Sequence, residues 1–245
     1  MNANKVMLVI GGSSGIGAAT ARMAAARGYC VALTYASGAK AAEAIVADIE
    51  ESGGKAHAIH CDSTVEEDVI ALFDKVADIG PLDAVVYSSG VTGGEGPLAD
   101  ATADALRFTV EVNLVGAMLA AREAVRRMST ERGGKGGSIT FVSSRASDRG
   151  SPGIHVWYAA SKGGVNSLAI GLAREVAQQG IRVNCVSPGP VATDMLDDER
   201  QKVAATLVAM GRIAQPEEIA SAVLYLASED ASYVTAANLA VGGGA

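Results

Sequence analysis

Val6-Met7-Leu8-Val9-Ile10-Gly11-Gly12-Ser13-Ser14-Gly15-Ile16-Gly17 is the stretch that decides the fold. Five apolar residues in a row, three of them β-branched, read as a strand buried on both faces, as in a parallel sheet. The glycines after it permit a tight turn. From Ile16 to Arg27 the pattern changes to an Ala-rich helical one. The same alternation continues along the chain. Cys30–Tyr35, Ala56–Cys61, Ala84–Tyr87, Ser138–Val142 and Ile181–Val186 read as further strands, and Leu239–Val241 as a seventh. Ala39–Glu50, Glu66–Ile79, Ala103–Arg127 and Val156–Gln178 read as helices. Thr64 with Glu67 three residues on has the form of a capping box. Gly28, Gly53-Gly54, Gly80-Pro81 and Gly180 fall where helices should stop.

This order predicts an α/β, doubly wound, Rossmann-like three-layer fold with a seven-stranded parallel sheet. No repeat or long linker interrupts it, so residues 1–245 are expected to form a single dinucleotide-binding catalytic domain. A chain of this length buries a large core without disulfides or metal. Hydrophobic residues make up 49% and charged residues 19%, a globular composition. Twenty Lys and Arg against 27 Asp and Glu leave a net charge of −7, which argues against a nucleic-acid partner. Cys30, Cys61 and Cys185 are odd in number and each sits in an apolar stretch, which suits a reducing compartment. No apolar run reaches the roughly 18 residues of a membrane span. The expectation is a soluble, cytoplasmic protein.

The glycine loop lies between the first strand and the first helix. Missing Cβ atoms there let backbone amides approach a pyrophosphate at the positive end of a helix. A tight turn without a ligand would use the same residues. The loop lacks the Gly-Lys-Ser/Thr ending of a triphosphate site, which disfavours an ATPase. A dinucleotide site holds the adenosine ribose at the end of the second strand, where a carboxylate would repel a 2′-phosphate. Here Tyr35-Ala36-Ser37-Gly38-Ala39-Lys40 contains no Asp or Glu. Ser37 could bond a 2′-phosphate and Lys40 offset its charge, which tilts the reading toward NADP, with NAD possible. Asp62, after the third strand, is a candidate for the adenine amino group. Asp62 or Ser63 could equally lead into the next helix.

Tyr158-Ala159-Ala160-Ser161-Lys162 sets a phenol and an ammonium on one helix face. A free phenol has a pKa near 10, and a nearby ammonium is expected to lower it. So tuned, Tyr158 could give a proton to a carbonyl oxygen and take it back from an alcohol.

With these motifs the chain resembles the short-chain dehydrogenases/reductases over nearly its whole length, from Val6 to Gly244. The likeness rests on the glycine loop, Tyr158–Lys162, Val112-Asn113-Leu114-Val115-Gly116 and Val183-Asn184-Cys185-Val186-Ser187-Pro188-Gly189. It is nearest to the single-domain bacterial branch of 3-oxoacyl-carrier-protein reductases and glucose 1-dehydrogenases. The resemblance implies a catalytic tetrad of Asn113, Ser144, Tyr158 and Lys162. Ser144 would share the substrate oxygen with Tyr158, Lys162 would also bind the nicotinamide ribose, and Asn113 would support a water-linked proton path. Many members place the serine one residue nearer the tyrosine, where this chain has Arg145. An extra residue in the Arg145–Trp157 loop restores Ser144. The cofactor set implied is Gly11, Ser13, Ser14, Gly15, Ile16, Gly17, Tyr35, Ser37, Asp62, Ser63, Gly90, Tyr158, Lys162, Pro188, Gly189, Val191 and Thr193. Within it, Val191 and Thr193 would hold the carboxamide and Gly90 would pass the adenosine.

The function expected is NADP-dependent interconversion of a carbonyl and a secondary alcohol on a small molecule. The alternatives are a catalytically weak nucleotide-binding regulator on the same fold and a cofactor-free interaction protein. Ala103–Arg127 and Val156–Gln178 are apolar around most of their circumference, and with the resemblance they imply a homotetramer or homodimer.

The chain departs from the family at four places. Ile10 stands for a usual Thr, Tyr87-Ser88-Ser89-Gly90 for Asn-Asn-Ala-Gly, Ala236 for a Gly, and Gly242-Gly243-Gly244 for Asp-Gly-Gly. The second departure removes amides that tie the sheet and is expected to weaken stability or cofactor grip. His57 and His60 point to opposite faces of a strand, so no metal site is expected. Ser144, His155 and Asp148 lack the nucleophile elbow of a hydrolase. His155 is a loop residue beside the cleft, more simply without a role. Arg145 and Arg149 could meet an anionic substrate, though surface arginines are commonplace. Asp197-Asp198-Glu199-Arg200 is expected to open an exposed lid helix.

Overall fold

The computed structural model describes residues 5–193 and 198–245. Seven strands form one sheet: β1 (Val6–Ile10), β2 (Cys30–Tyr35), β3 (Lys55–His60), β4 (Leu82–Tyr87), β5 (Gly137–Val142), β6 (Ile181–Pro188) and β7 (Asn238–Val241). Their order is β3-β2-β1-β4-β5-β6-β7, with every pair parallel. All five β1 residues are buried, the outcome of a run apolar on both faces.

Helices cover both faces. On one side α1 (Gly15–Ala26), α2 (Ala39–Glu51) and α9 (Pro216–Ala227) enclose Met7, Val9, Leu33, Val86 and Ile219. On the other, α3 (Glu66–Ile79), α5 (Gly116–Met128) and α7 (Val156–Val176) enclose Leu8, Ile10, Phe73, Val85, Phe141 and Val183. Alternate residues of β1 thus feed opposite cores. The strand order reverses between β1 and β4, so their carboxyl ends open the crevice in which such sheets bind ligands.

Two local expectations need correction. The helix expected over Ala103–Arg127 is broken: α4 (Ala103–Val110) passes through a π turn at Glu111–Val115 before α5 begins. The capping box at Thr64 does not form. Instead α3 starts after Val65, and the Thr64 N–H and hydroxyl both donate to Asp62 Oδ1, at 2.9 and 2.7 Å. The box lies at Gln215 and Glu218, with Pro216 opening α9. Two further short helices, α6 (Ala146–Arg149) and α8 (Asp198–Thr206), flank the crevice. Asp197 of the expected lid lies outside the described residues. Among the described residues no helix is long and apolar enough to cross a membrane, and no group of three or more His, Cys, Asp or Glu could hold a metal.

Candidate active site

Gly11 and Gly15 have positive φ, +79° and +48°, which suits glycine. The turn is pinned by Thr34, whose hydroxyl accepts from Gly11 N–H and whose carbonyl accepts from Gly12 N–H, both at 3.0 Å. A Cβ at Gly11 would stand 2.6 Å from Ser89 Oγ. At the head of α1 the Ser14 side chain makes no cap, and the first turn holds no acidic residue. The amides and the positive helix end therefore remain available to an anion.

A groove of about 1040 Å³ runs from this turn across the carboxyl ends of the strands. That volume is large for a small-molecule site and suits a dinucleotide with a substrate. Gly11, Ser13, Ser14, Gly15, Ile16, Tyr35, Ser37, Asp62, Ser63, Gly90, Ser144, Tyr158, Lys162, Pro188, Gly189, Val191 and Thr193 all line it. Two expected residues lie behind its wall. Gly17 has no Cβ because one would overlap the Gly11 carbonyl, so it sets the approach of α1 to the loop. Asn113, fully buried in the π turn, grips the Val91 backbone: Nδ2 donates to Val91 O at 2.9 Å, and Oδ1 accepts from Val91 N–H at 2.8 Å.

Ser144 and Tyr158 both line the groove, with the Ser144 side chain near enough to the phenol to favour its ionised form. Ser143, by contrast, is 3% exposed and its hydroxyl is engaged, donating to the Lys162 carbonyl at 3.2 Å. Ser144 is held by Ser147, which donates to its carbonyl at 2.6 Å, and Asn166 Nδ2 donates to Ser147 Oγ at 2.9 Å. From Asn113 a second chain runs inward: Nδ2 donates to Ser161 Oγ at 2.9 Å, and Ser161 donates to the Tyr158 carbonyl at 2.7 Å. The sequence reading missed Thr34, Ser161 and Asn166. Only Ser161 carried a signal, its place one turn after Tyr158.

Lys162 is buried, and its Nζ donates to Val142 O at 2.8 Å. Burial lowers its pKa to about 8. The Tyr158 phenol is raised by burial, which outweighs the Ser144 hydrogen bond. This corrects the expectation of a phenol lowered by the ammonium: Nζ stands 5.9 Å from the ring centroid, and desolvation wins. Gly90 fills the space between the two inner groups. A Cβ there would lie 3.1 Å from Lys162 Nζ and 3.4 Å from Asn113 Oδ1.

At the Tyr87-Ser88-Ser89 departure other bonds cross the seam. Ser88 N–H donates to Ile10 O at 2.8 Å, and the Tyr87 hydroxyl bonds across to Val112 and Ser63. Of the outer residues, Asp62 lines the groove with Oδ1 engaged by Thr64. Arg145 is paired with Asp148, and Arg149 lines the mouth. His155 does line the cleft, with its ring edge-on to Tyr158 at 5.2 Å, and its Nδ1 is buried without a partner.

Comparison with known proteins places the chain in a family. The enoyl-(acyl carrier protein) reductase family model matches residues 11–245. An uncharacterized oxidoreductase, YgfF, of Escherichia coli (strain K12) is 41% identical over 98% of this chain and 99% of its own. A short-chain dehydrogenase/reductase from Serratia marcescens BCRC 10948 superposes with a TM-score of 0.90 at 36% identity, covering 98% of this chain and 97% of its own. A blue fluorescent protein from a metagenomic library, solved in complex with NADPH, has a TM-score of 0.91 at 35% identity over 100% of this chain and 99% of its own. Phosphate-ready loop, hydroxyl pair, buried lysine and whole-length relatives converge: the chain belongs to the short-chain dehydrogenase/reductase family of nicotinamide-dependent oxidoreductases.

Proposed function

We propose that the protein interconverts a carbonyl and a secondary alcohol with NADP as its cofactor. One observation carries the reading. The Ser144–Tyr158 hydroxyl pair stands in the same groove as the uncapped head of α1, so one continuous surface offers a phosphate cradle and a proton donor. Gly11, Ser13, Ser14, Gly15 and Ile16 would hold the pyrophosphate, with Gly17 behind them. Tyr35, Asp62, Ser63 and Gly90 would hold the adenosine, and Pro188, Gly189, Val191 and Thr193 the nicotinamide. The absence of a carboxylate at Ser37, with Lys40 on the first turn of α2, favours a 2′-phosphate. When bound, the nicotinamide supplies or accepts the hydride.

Tyr158 gives its phenolic proton to the carbonyl oxygen during reduction and takes a proton from the alcohol during oxidation. Ser144 donates to the same oxygen as charge develops on it. Lys162 would hold the nicotinamide ribose, and Asn113 would fix the inner wall along which the proton is replaced. The exposed apolar side chains Phe108, Met118 and Ile170, on α4, α5 and α7, support a homotetramer or homodimer, and the free cysteines support the cytoplasm. Sedimentation at micromolar concentration tests the assembly; a monomer would count against it.

Parallel fluorescence titrations with NADPH and NADH, followed by a carbonyl panel, test the function. Tight NADPH binding with turnover of one of the carbonyls is expected. Binding without turnover would leave the nucleotide-binding regulator, and no binding of either cofactor would sink the oxidoreductase reading.

A further inference from the structure

Tyr87 ends β4 with its side chain 1% exposed, facing the π turn that carries Asn113. In a regular helix the Gly116 amide would bond the Val112 carbonyl, four residues back. Here that amide goes five residues back, to Glu111 O. The Val112 carbonyl, freed of that amide, accepts the Tyr87 hydroxyl at 2.5 Å. Ser63 Oγ stands 3.0 Å from the same hydroxyl, placed to donate to its oxygen. Burial raises the pKa of this phenol, so it remains a donor throughout the working pH range. Gly116 makes the room: a Cβ there would fall on the Tyr87 hydroxyl, with the Ser63 carbonyl 2.9 Å away.

We infer that Tyr87 is a positioning residue for the reaction, its hydroxyl fixing the π turn at Val112 and so the aim of Asn113 at Val91 and Ser161. The adjacency is covalent, since Val112 and Asn113 are successive residues. From Asn113 the chain of bonds continues through Ser161 Oγ to the Tyr158 carbonyl and through Val91 to the wall of the groove. A donor lost from Val112 therefore frees the turn whose side chain braces both. Tyr87 and Gly116 thus belong together as hydroxyl and clearance.

The inference rests on the oxidoreductase reading and is tested in the full-length protein. Tyr87→Phe keeps the ring and deletes the bond. For the carbonyl that the unaltered protein turns over, kcat is expected to fall roughly tenfold with KM changed less than about twofold. The pH limb of kcat should move by about half a unit, because the group braced by Asn113 carries the proton. Hydrogen exchange should rise at residues 111–117 and stay unchanged in β2 and α9. An unchanged kcat and pH limb overturn the inference, whatever the melting temperature does. Gly116→Ala, which presses a methyl onto the same hydroxyl, should reproduce the loss alone and cost less in the Tyr87→Phe background, where the oxygen is gone and only the contact with the Ser63 carbonyl remains. Independent, additive losses overturn it. If no carbonyl is turned over, the oxidoreductase reading fails by itself. Exchange then decides this one, and an unchanged rate at 111–117 overturns it.

Discussion

Lys162 donates to the Val142 carbonyl at 2.8 Å from a buried position in the groove wall, 5.9 Å from the Tyr158 ring centroid. Its pKa, lowered by burial from 10.5 to about 8, makes it a cost to the empty protein at neutral pH. Below about pH 8 the native state carries a buried ammonium. Between there and the ordinary value near 10.5, the unfolded chain binds the proton that the native state has shed, so stability rises with pH over that window. Lys162→Met is therefore expected to stabilise the protein by about 1–2 kcal/mol at pH 7, after allowing for the donor lost from Val142. Thermal melts should show about 2–4 °C per kcal/mol for a domain of this size, with the gap closing above pH 8. Turnover should fall by about a hundredfold or more. A variant less stable than the parent at pH 7 would contradict this account.

Tyr158 gives the matching kinetic signature. Burial raises its phenol, and the Ser144 hydroxyl opposes the shift by stabilising the phenolate. Reduction needs the protonated phenol, so its rate should hold through neutral pH and fall only in the alkaline range. Oxidation needs the phenolate and should climb about tenfold per pH unit below the pKa. In Ser144→Ala the opposing bond is gone, so the oxidation limb should move to higher pH while kcat drops about a hundredfold. Paired pH–rate profiles decide the point; a limb displaced to lower pH would refute it.

The run Val6–Ile10 announced the sheet because a strand buried on both faces can be apolar throughout, whereas Ile181–Val186 keeps Arg182 and Asn184 by bonding them to the backbone at Val234. The candidate tetrad came from the family motifs; Ser144, Tyr158 and Lys162 line one groove, and Asn113 lies behind its wall. The break in the Ala103–Arg127 helix was not. Glu111–Val115 holds no Gly or Pro, and the π turn arises from tertiary bonds to Tyr87 and Val91. The Thr64 box failed for a similar reason, because Asp62 two residues back captures both the Thr64 amide and its hydroxyl. Tyr158 was misjudged in the direction of its shift because sequence spacing reports the lysine but not the depth of burial.

Glu123 knits α5 to α3. It is 2% exposed and accepts from Arg127 at 2.5 Å, Arg126 at 2.7 Å and Arg122 at 3.1 Å. Arg122 and Arg127 reach on to Glu66 and Asp74 of α3, at 2.7 and 2.6 Å. Burial pushes the Glu123 carboxyl up, but the guanidiniums outweigh it and hold the pKa below 4.5. Glu123→Gln should cost about 1–3 kcal/mol at pH 7, discounted because the arginines remain partly solvated. The stability from this carboxylate is present above its ordinary pKa and lost as pH falls through the depressed one. Urea melts at pH 7 and pH 4 should therefore show a smaller difference at the lower pH; an equal or larger one would point to packing instead of charge.

Ser37 is exposed one residue beyond the Tyr35-Ala36 corner of β2, and Lys40 stands on the first turn of α2, which contains no acidic residue. A carboxylate introduced at Ser37 would face a 2′-phosphate across a few ångströms of partly solvated space. At an effective dielectric near 20 that repulsion is about 1–4 kcal/mol per charge pair. Ser37→Asp should therefore weaken NADPH by at least about tenfold while NADH holds or improves, because the new oxygens can accept from the two free ribose hydroxyls. Added salt should narrow the NADPH deficit, since the site is open and the repulsion is screened. Lys40→Ala should weaken NADPH alone, and less than the aspartate does, because it removes an attraction without adding a repulsion. Fluorescence titrations of both variants at two ionic strengths separate these effects. Equal losses for NADPH and NADH in Ser37→Asp would mean that the β2 corner carries shape and not charge, and the NADP preference would then have to be sought elsewhere in the groove.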